Sequence, residues 1–205
     1  AANPKSAANR PLPFSVKVMC ASLASATSPV LLGAYVRDSL RSSAKFMDGQ
    51  LGGVMQTAFN LGRYPAQPGQ VMVFANRTPN ATPSGAIVVG LGVVGELLPG
   101  ELTQALTHGL PEYARQSALP MGQATASLNP MPDQGLPVTA LLVGTGSFGL
   151  TVEVGVRCLI EAMVKANQEL GQSAIKAHLS QLTIIEEMEN RAICAVESLN
   201  DLRQE

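Results

Sequence analysis

The fold class predicted by this sequence is a three-layer α/β domain, with helices on both faces of a mixed, mostly parallel sheet. Three observations predict it. Strand-type and helix-type segments alternate several times along the 205 residues, the pattern of a sheet with crossover helices. Two stretches, "AIVVGLGVVGELLPGEL" and "ALLVGTGSFGLTVEVGV", repeat the order strand, glycine loop, helix, and right-handed crossovers bring such loops to one edge of a sheet. Hydrophobic residues make up 46% of the chain, enough at this length for a substantial core.

The elements follow in order. Residues 1–13, rich in Ala, Asn and Pro, are expected to be a disordered or loosely attached tail ahead of a single domain over 14–205. Phe14, Val16, Val18 and Cys20 alternate with Ser15, Lys17 and Met19, as in a strand with one better-buried face. A second strand covers 28–36, after a Ser-Pro turn. Met47, Leu51 and Met55 recur at helical spacing within 42–64, with a break expected at Gly52 and Gly53. A turn over 65–70 leads to a strand over 70–76, and a buried strand over 85–92 ends in glycines. The helix over 100–117 contains Pro111, which is expected to kink or interrupt it. A Pro/Gly-rich connection is expected over 118–137, a strand over 138–143, the longest helix over 151–170, a strand over 179–186 and a final amphipathic helix over 186–205.

Charge excludes some functions. Only 14% of residues are charged, against a usual share of about 25%. Such a surface is expected to face another domain or subunit in part, although a monomer with a Ser/Thr/Gln/Asn-rich surface is the alternative. The net charge is -1 and no stretch gathers Lys and Arg into a stripe, which argues against nucleic acid as a partner. Tryptophan is absent and aromatics make up 4%, too few for base-stacking platforms. No apolar run is long enough to span a bilayer, so no membrane partner is expected. Three scattered cysteines, Cys20, Cys158 and Cys194, form no disulfide framework and no zinc spacing; they read as buried reduced thiols of a cytoplasmic protein.

Two loops carry the letters of a dinucleotide fingerprint: Gly90-x-Gly92-x-x-Gly95 and Gly144-x-Gly146-x-x-Gly149. Glycines there let backbone N–H groups approach a pyrophosphate at a helix N-terminus. Three features favour strand-to-helix turns instead. No acidic residue ends a following strand at the distance needed to hold a ribose. The helix after the first loop starts late, after Pro99. Two matches in one small domain point to a general use of glycine in turns. There is no Walker pattern.

Other chemistry is sparse. His108 and His178 have no metal partner at ligand spacing. A Cys–His dyad is not excluded by sequence, although each cysteine sits within an apolar element, where thiols are usually inert. Glu186, Glu187 and Glu189 cluster at the start of the last helix and suit its dipole. Asp38 and Asp48 lie near helix ends and read as caps.

Gly33, "MDGQLGGVM", "QPGQ" (67–70) and "VVGLGVVGELLPGELTQAL" occur in an order that resembles the N-terminal domain of two-zinc leucine aminopeptidases, over about residues 28–170. "LTIIEEMENRAICAVESL" is similar to the strand–helix unit of bacterial proteins joining such a domain to a caspase-like (CHAT) protease. The resemblance implies a macrodomain-like fold. The zinc-binding half of the aminopeptidases and the His-Cys dyad of the caspase-like domain match nothing here, so neither activity is carried over. The expected function is therefore a non-catalytic interaction or regulatory module whose partners are other domains or chains of the same multidomain protein, a caspase-like protease among them; no cofactor or metal is expected. The alternative is a module binding ADP-ribose or a nucleotide, with Gly90, Gly92, Gly144, Gly146, Ser147 and Gly149 giving backbone donors to phosphates. Both loops are expected at one sheet edge, where a ligand should be sought first.

Overall fold

Side-chain alternation along the strands divides the core in two. The computed structural model describes residues 13–78, 80–118, 134–146, 149–174 and 177–204; the expected tail falls almost wholly outside these. The strands are β1 (Ser15–Cys20), β2 (Val30–Tyr35), β3 (Val71–Ala75), β4 (Gly85–Gly92), β5 (Gln134–Ala140) and β6 (Ala177–Glu186). The helices are α1 (Ser42–Gln50), α2 (Val54–Asn60), α3 (Pro99–Ala118), α4 (Val152–Gln172) and α5 (Glu189–Leu202). One sheet orders the strands β1-β6-β5-β2-β4-β3. Only the β3–β4 pair is antiparallel; the other four are parallel.

Leu31, Ile87, Val89, Val138, Leu182 and Ile184 face one side and pack with α3, α4 and α5. Val30, Leu32, Val88 and Ile185 face the other, with Met47 of α1 and Met55 of α2. This is the period-two alternation of a sheet covered on both faces, and it is the three-layer fold expected. All eight residues of β4 are buried.

The α1–α2 break falls at Gly52 and Gly53, both at positive φ. Gly53 is the N-cap of α2 and has no side chain to cap with. Asp48 of α1 supplies the acceptor instead: its Oδ1 takes the Gln56 N–H at 2.9 Å, and the side chain is buried. Asp48 therefore caps the next helix, not its own. Asp38 accepts from the Ser39 N–H at 2.9 Å and caps no helix, since the N-cap of α1 is Arg41.

Three expectations are corrected. α3 runs unbroken through Pro111, because Leu106, Leu110, Pro111, Tyr113 and Ala114 are buried around it; that packing outweighs the roughly 3 kcal/mol cost of an interior proline. β5 begins at Gln134, four residues before the expected start at Val138, and accommodates Pro137 at a register shift. Of the three thiols only Cys158 is buried. Cys20 is exposed because it ends the edge strand β1, and Cys194 is half-buried on α5.

Asn167 of α4 is fully buried. Its Nδ2 donates to the Leu179 carbonyl at 2.9 Å and its Oδ1 accepts from the Leu179 N–H at 2.8 Å. The pairing of β6 with β1 starts only at Gln181, so this one side chain stands in for a strand partner where none reaches.

Candidate functional site

The sheet splits at one end. β2 pairs with β4 from Val30 to Tyr35 but with β5 only at Val30–Thr139 and Leu31–Ala140. Leu141, Leu142 and Val143, expected within the strand, lie beyond it. From there β2 leads to α1 on one face of the sheet, and β5 leads to α4 on the other. Neighbouring parallel strands whose connections leave to opposite faces form a topological switch point, where open α/β sheets take their ligands.

Two hollows flank the start of α1 there and share Ser42 and Ser43. One, of about 510 Å³, is walled by Leu23, Phe46, Leu141, Leu142, Ile185 and Met188, with Gly146, Glu186, Glu187 and Arg191 at its polar side. The other, of about 560 Å³, lies under the β2–α1 connection against Tyr35, Arg37, Asp38, Arg41, Phe59 and Tyr64. Both fall within the usual size of small-molecule sites. α1 has no side-chain cap and no acid in its first turn. Among the described residues the N–H groups of Ser42 and Ser43 take no acceptor. An uncapped helix start with open donors, between two arginines and a hollow, favours an anion.

The predicted glycines divide into two groups. Gly144, Gly146 and Gly149 form the β5–α4 turn at this crevice. The Gly149 N–H binds the Gly146 carbonyl and the Leu150 N–H binds the Gly144 carbonyl, both at 2.8 Å. Gly149 is packed so closely that a Cβ would stand 2.1 Å from the Gly144 oxygen. The N–H groups of Gly144 and Gly146 take no acceptor among the described residues. Ser147 lies outside them. Gly90 and Gly92 differ, because their donors are used by the fold: the Gly90 N–H binds Gln70 O at 2.9 Å and the Gly92 N–H binds Ala66 O at 2.8 Å. A Cβ on Gly90 would meet Gln67 O at 2.0 Å, so this glycine exists to let the 65–70 turn cross β4. The expected donor role of Gly90 and Gly92 is thus corrected. Leu97, just after the first glycine loop, and Leu102 of α3 cover Gly144.

Sequence reading missed the residue that ties this turn to the rest of the molecule. Arg191 of α5 donates through Nη2 to Thr145 Oγ1 at 2.6 Å, through Nη1 to the Thr145 carbonyl at 3.3 Å and through Nε to Glu186 Oε2 at 2.8 Å. Thr145 is buried and donates to Leu142 O at 2.7 Å. Spacing along one helix carries no signal for a bond spanning 46 residues.

Tyr64 was missed too. Its hydroxyl is buried without a partner among the described residues. Burial, then the Asp48 and Asp38 carboxylates, push it far above the usual phenol range, so it remains a neutral donor. Phe59 packs edge-on against it, with ring centroids 6.0 Å apart. On the far side of the α3–α4 layer, His108 and Cys158 line one groove of about 470 Å³. Burial pushes the Cys158 thiol up and it donates to Pro99 O at 3.4 Å, which is the state of a packed thiol and not of a nucleophile. Among the described residues no cluster of His, Cys, Asp and Glu is placed to hold a metal ion, and no helix is long and apolar enough to cross a membrane.

No family model matches the chain, and no curated protein matches it in sequence. Solved structures do match in shape. The Oceanobacillus iheyensis macrodomain with ADP superposes with a TM-score of 0.61 at 12% identity, covering 92% of both chains. A variant of that macrodomain with ADPR gives 0.61 at 12% identity, over 93% of this chain and 94% of the other. The Trypanosoma brucei macrodomain in complex with ADP gives 0.61 at 12% identity, over 90% and 69%. At such identity the likeness shows a common fold, the macrodomain fold. These relatives carry no link to an aminopeptidase or to a caspase-like protease.

Proposed function

We propose that the chain is a macrodomain-fold module that binds a nucleoside diphosphate of the ADP-ribose class in the crevice between β2 and β5. The observation that carries this reading is a set of backbone donors around one hollow that take no acceptor among the described residues, Ser42 and Ser43 at the start of α1 and Gly146 in the β5–α4 turn. Such donors, with a second hollow beside the first, suit a diphosphate with a group at each end. The apolar hollow around Leu23, Phe46 and Ile185 would receive the base, and the hollow beside Arg37 and Tyr64 the distal sugar. The macrodomains that share this fold were solved with ADP and ADPR, which supports the same ligand class. This reverses the order of the two functions expected from sequence.

Calorimetric titration with ADP-ribose and ADP tests the reading. A side chain at Gly146 has open space around it, so Gly146→Asp should leave the fold intact while placing a carboxylate beside the phosphates. Its Kd should rise at least about tenfold, the effect of roughly 1.4 kcal/mol. Absence of binding by the wild-type chain would reject the proposal.

A second reading, a non-catalytic interaction module beside another domain such as a caspase-like protease, rests on different residues. Ile193 and Val196 of α5 are 51% and 44% exposed, an apolar surface of the kind that marks contact sites. Binding of the chain to a caspase-like segment, lost in an Ile193→Glu/Val196→Glu variant, would support it; a monodisperse monomer with no affinity for such a segment counts against it.

A further inference from the structure

The β5–α4 turn is held by bonds within itself and, among the described residues, by one side chain from elsewhere, that of Arg191. We infer that Arg191 is a positioning residue that holds Gly144–Gly146, the start of the β5–α4 turn, in its ligand-receiving shape by gripping Thr145, while it also lines the hollow proposed for the base. The inference rests on the proposed diphosphate site. Its geometry is specific. The guanidinium is a planar fork, and three of its edges are committed: two grip the side chain and carbonyl of Thr145, and the third is fixed by Glu186 at the end of β6. Glu186 is itself held, its Oε1 accepting the Met188 N–H at 3.0 Å. The ion pair is mostly buried, with side-chain exposures of 27% for Arg191 and 14% for Glu186, so solvent screens it little. α5 is anchored in turn by buried Ala192, Ala195 and Ser198. The latch therefore connects a rigid helix and a strand end to Gly144 and Gly146, whose N–H groups take no acceptor among the described residues. Ordering these donors before the ligand arrives removes an entropic cost from binding. The positive charge of Arg191 is already matched by Glu186, which leaves the fork geometry, and not the charge, as its contribution.

Amide hydrogen exchange on the full, ligand-free chain and ADP-ribose titration, run on the same variants, test this. Arg191→Lys keeps the charge and loses the fork; Thr145→Val keeps the arginine and removes its acceptor. Both should speed exchange at Gly149 and Leu150, whose N–H groups bind the Gly146 and Gly144 carbonyls within the turn, and weaken ADP-ribose binding by about tenfold, the scale of a coupled polar contact, with exchange of the β4 amides unchanged as the check on folding. Should Arg191→Lys keep wild-type affinity, the residue acts as a charge and the inference fails. Unchanged turn exchange in both variants also overturns it, since the turn would then be ordered without the latch. Loss of turn protection with no ADP-ribose binding by the wild type sinks the proposed function instead and leaves the latch standing as an ordering device.

Discussion

Single side chains do unusual amounts of structural work in a chain with so few charges. Asn167 is the clearest case, since one amide satisfies both backbone groups of Leu179. Asn167→Leu leaves a buried donor and a buried acceptor open, and should lower stability by about 2–4 kcal/mol in a urea titration. Glu153, at the first turn of α4, is a second case. Its carboxyl is held down at about 2 by the Cys194 thiol first, then by the Thr151 hydroxyl and its own backbone N–H; the same thiol bond raises Cys194. A depressed carboxylate favours the folded state fully above its ordinary pKa and loses that effect as pH falls towards about 2. In Cys194→Ala the Glu153 midpoint, followed by NMR, should move up towards the ordinary value of 4.5. A midpoint unchanged by that substitution would show that the thiol does not hold it.

Among the elements, the α1–α2 junction shows how a helix is started from outside itself. Gly53 gives α2 its turn but no cap, and Asp48 fills the role from the preceding helix. Asp48→Ala should cost about 1 kcal/mol, the usual value of an N-cap, and should speed amide exchange at Gln56 more than in α1. α3 makes the opposite point: local propensity at Pro111 argues for a break, and burial of its neighbours decides against one. The strands were legible because apolar periodicity, β-branched residues and flanking Gly and Pro are local. The ends of β5 were not, because a strand stops where its partner stops. β5 gains its first residues from pairing with β6 and loses Leu141–Val143 when β2 no longer accompanies it.

For the whole molecule, the crevice follows from topology. A sheet whose β2 and β5 connections leave to opposite faces must open between them, and Ser42 and Ser43 of α1 and Gly146 of the β5–α4 turn lie at that opening. A ligand that occupies it binds only the folded state. ADP-ribose at a hundredfold excess over its Kd should therefore add about 2.7 kcal/mol to stability. For a domain of this size that raises Tm by roughly 2–4 °C per kcal/mol, measurable by differential scanning fluorimetry. A flat melting curve series across concentrations would speak against any such ligand.

The sequence by itself determined the layers, the order of the elements and the glycine turn at Gly144–Gly149, because each of these is written in short-range periodicity and turn chemistry. It also marked Gly90 and Gly92, as turn residues first and as phosphate donors only in the alternative. Whether a glycine N–H is open or used depends on what crosses it, and the turn that crosses β4 comes from another part of the chain. The tertiary structure alone decided the rest: that Ser42 and Ser43 share one hollow with Gly146, that Tyr64 keeps a buried hydroxyl beside the neighbouring one, and that Arg191 reaches back 46 residues to Thr145. Contacts between residues so far apart leave no period in a sequence; only the packed sheet brings them within hydrogen-bond distance.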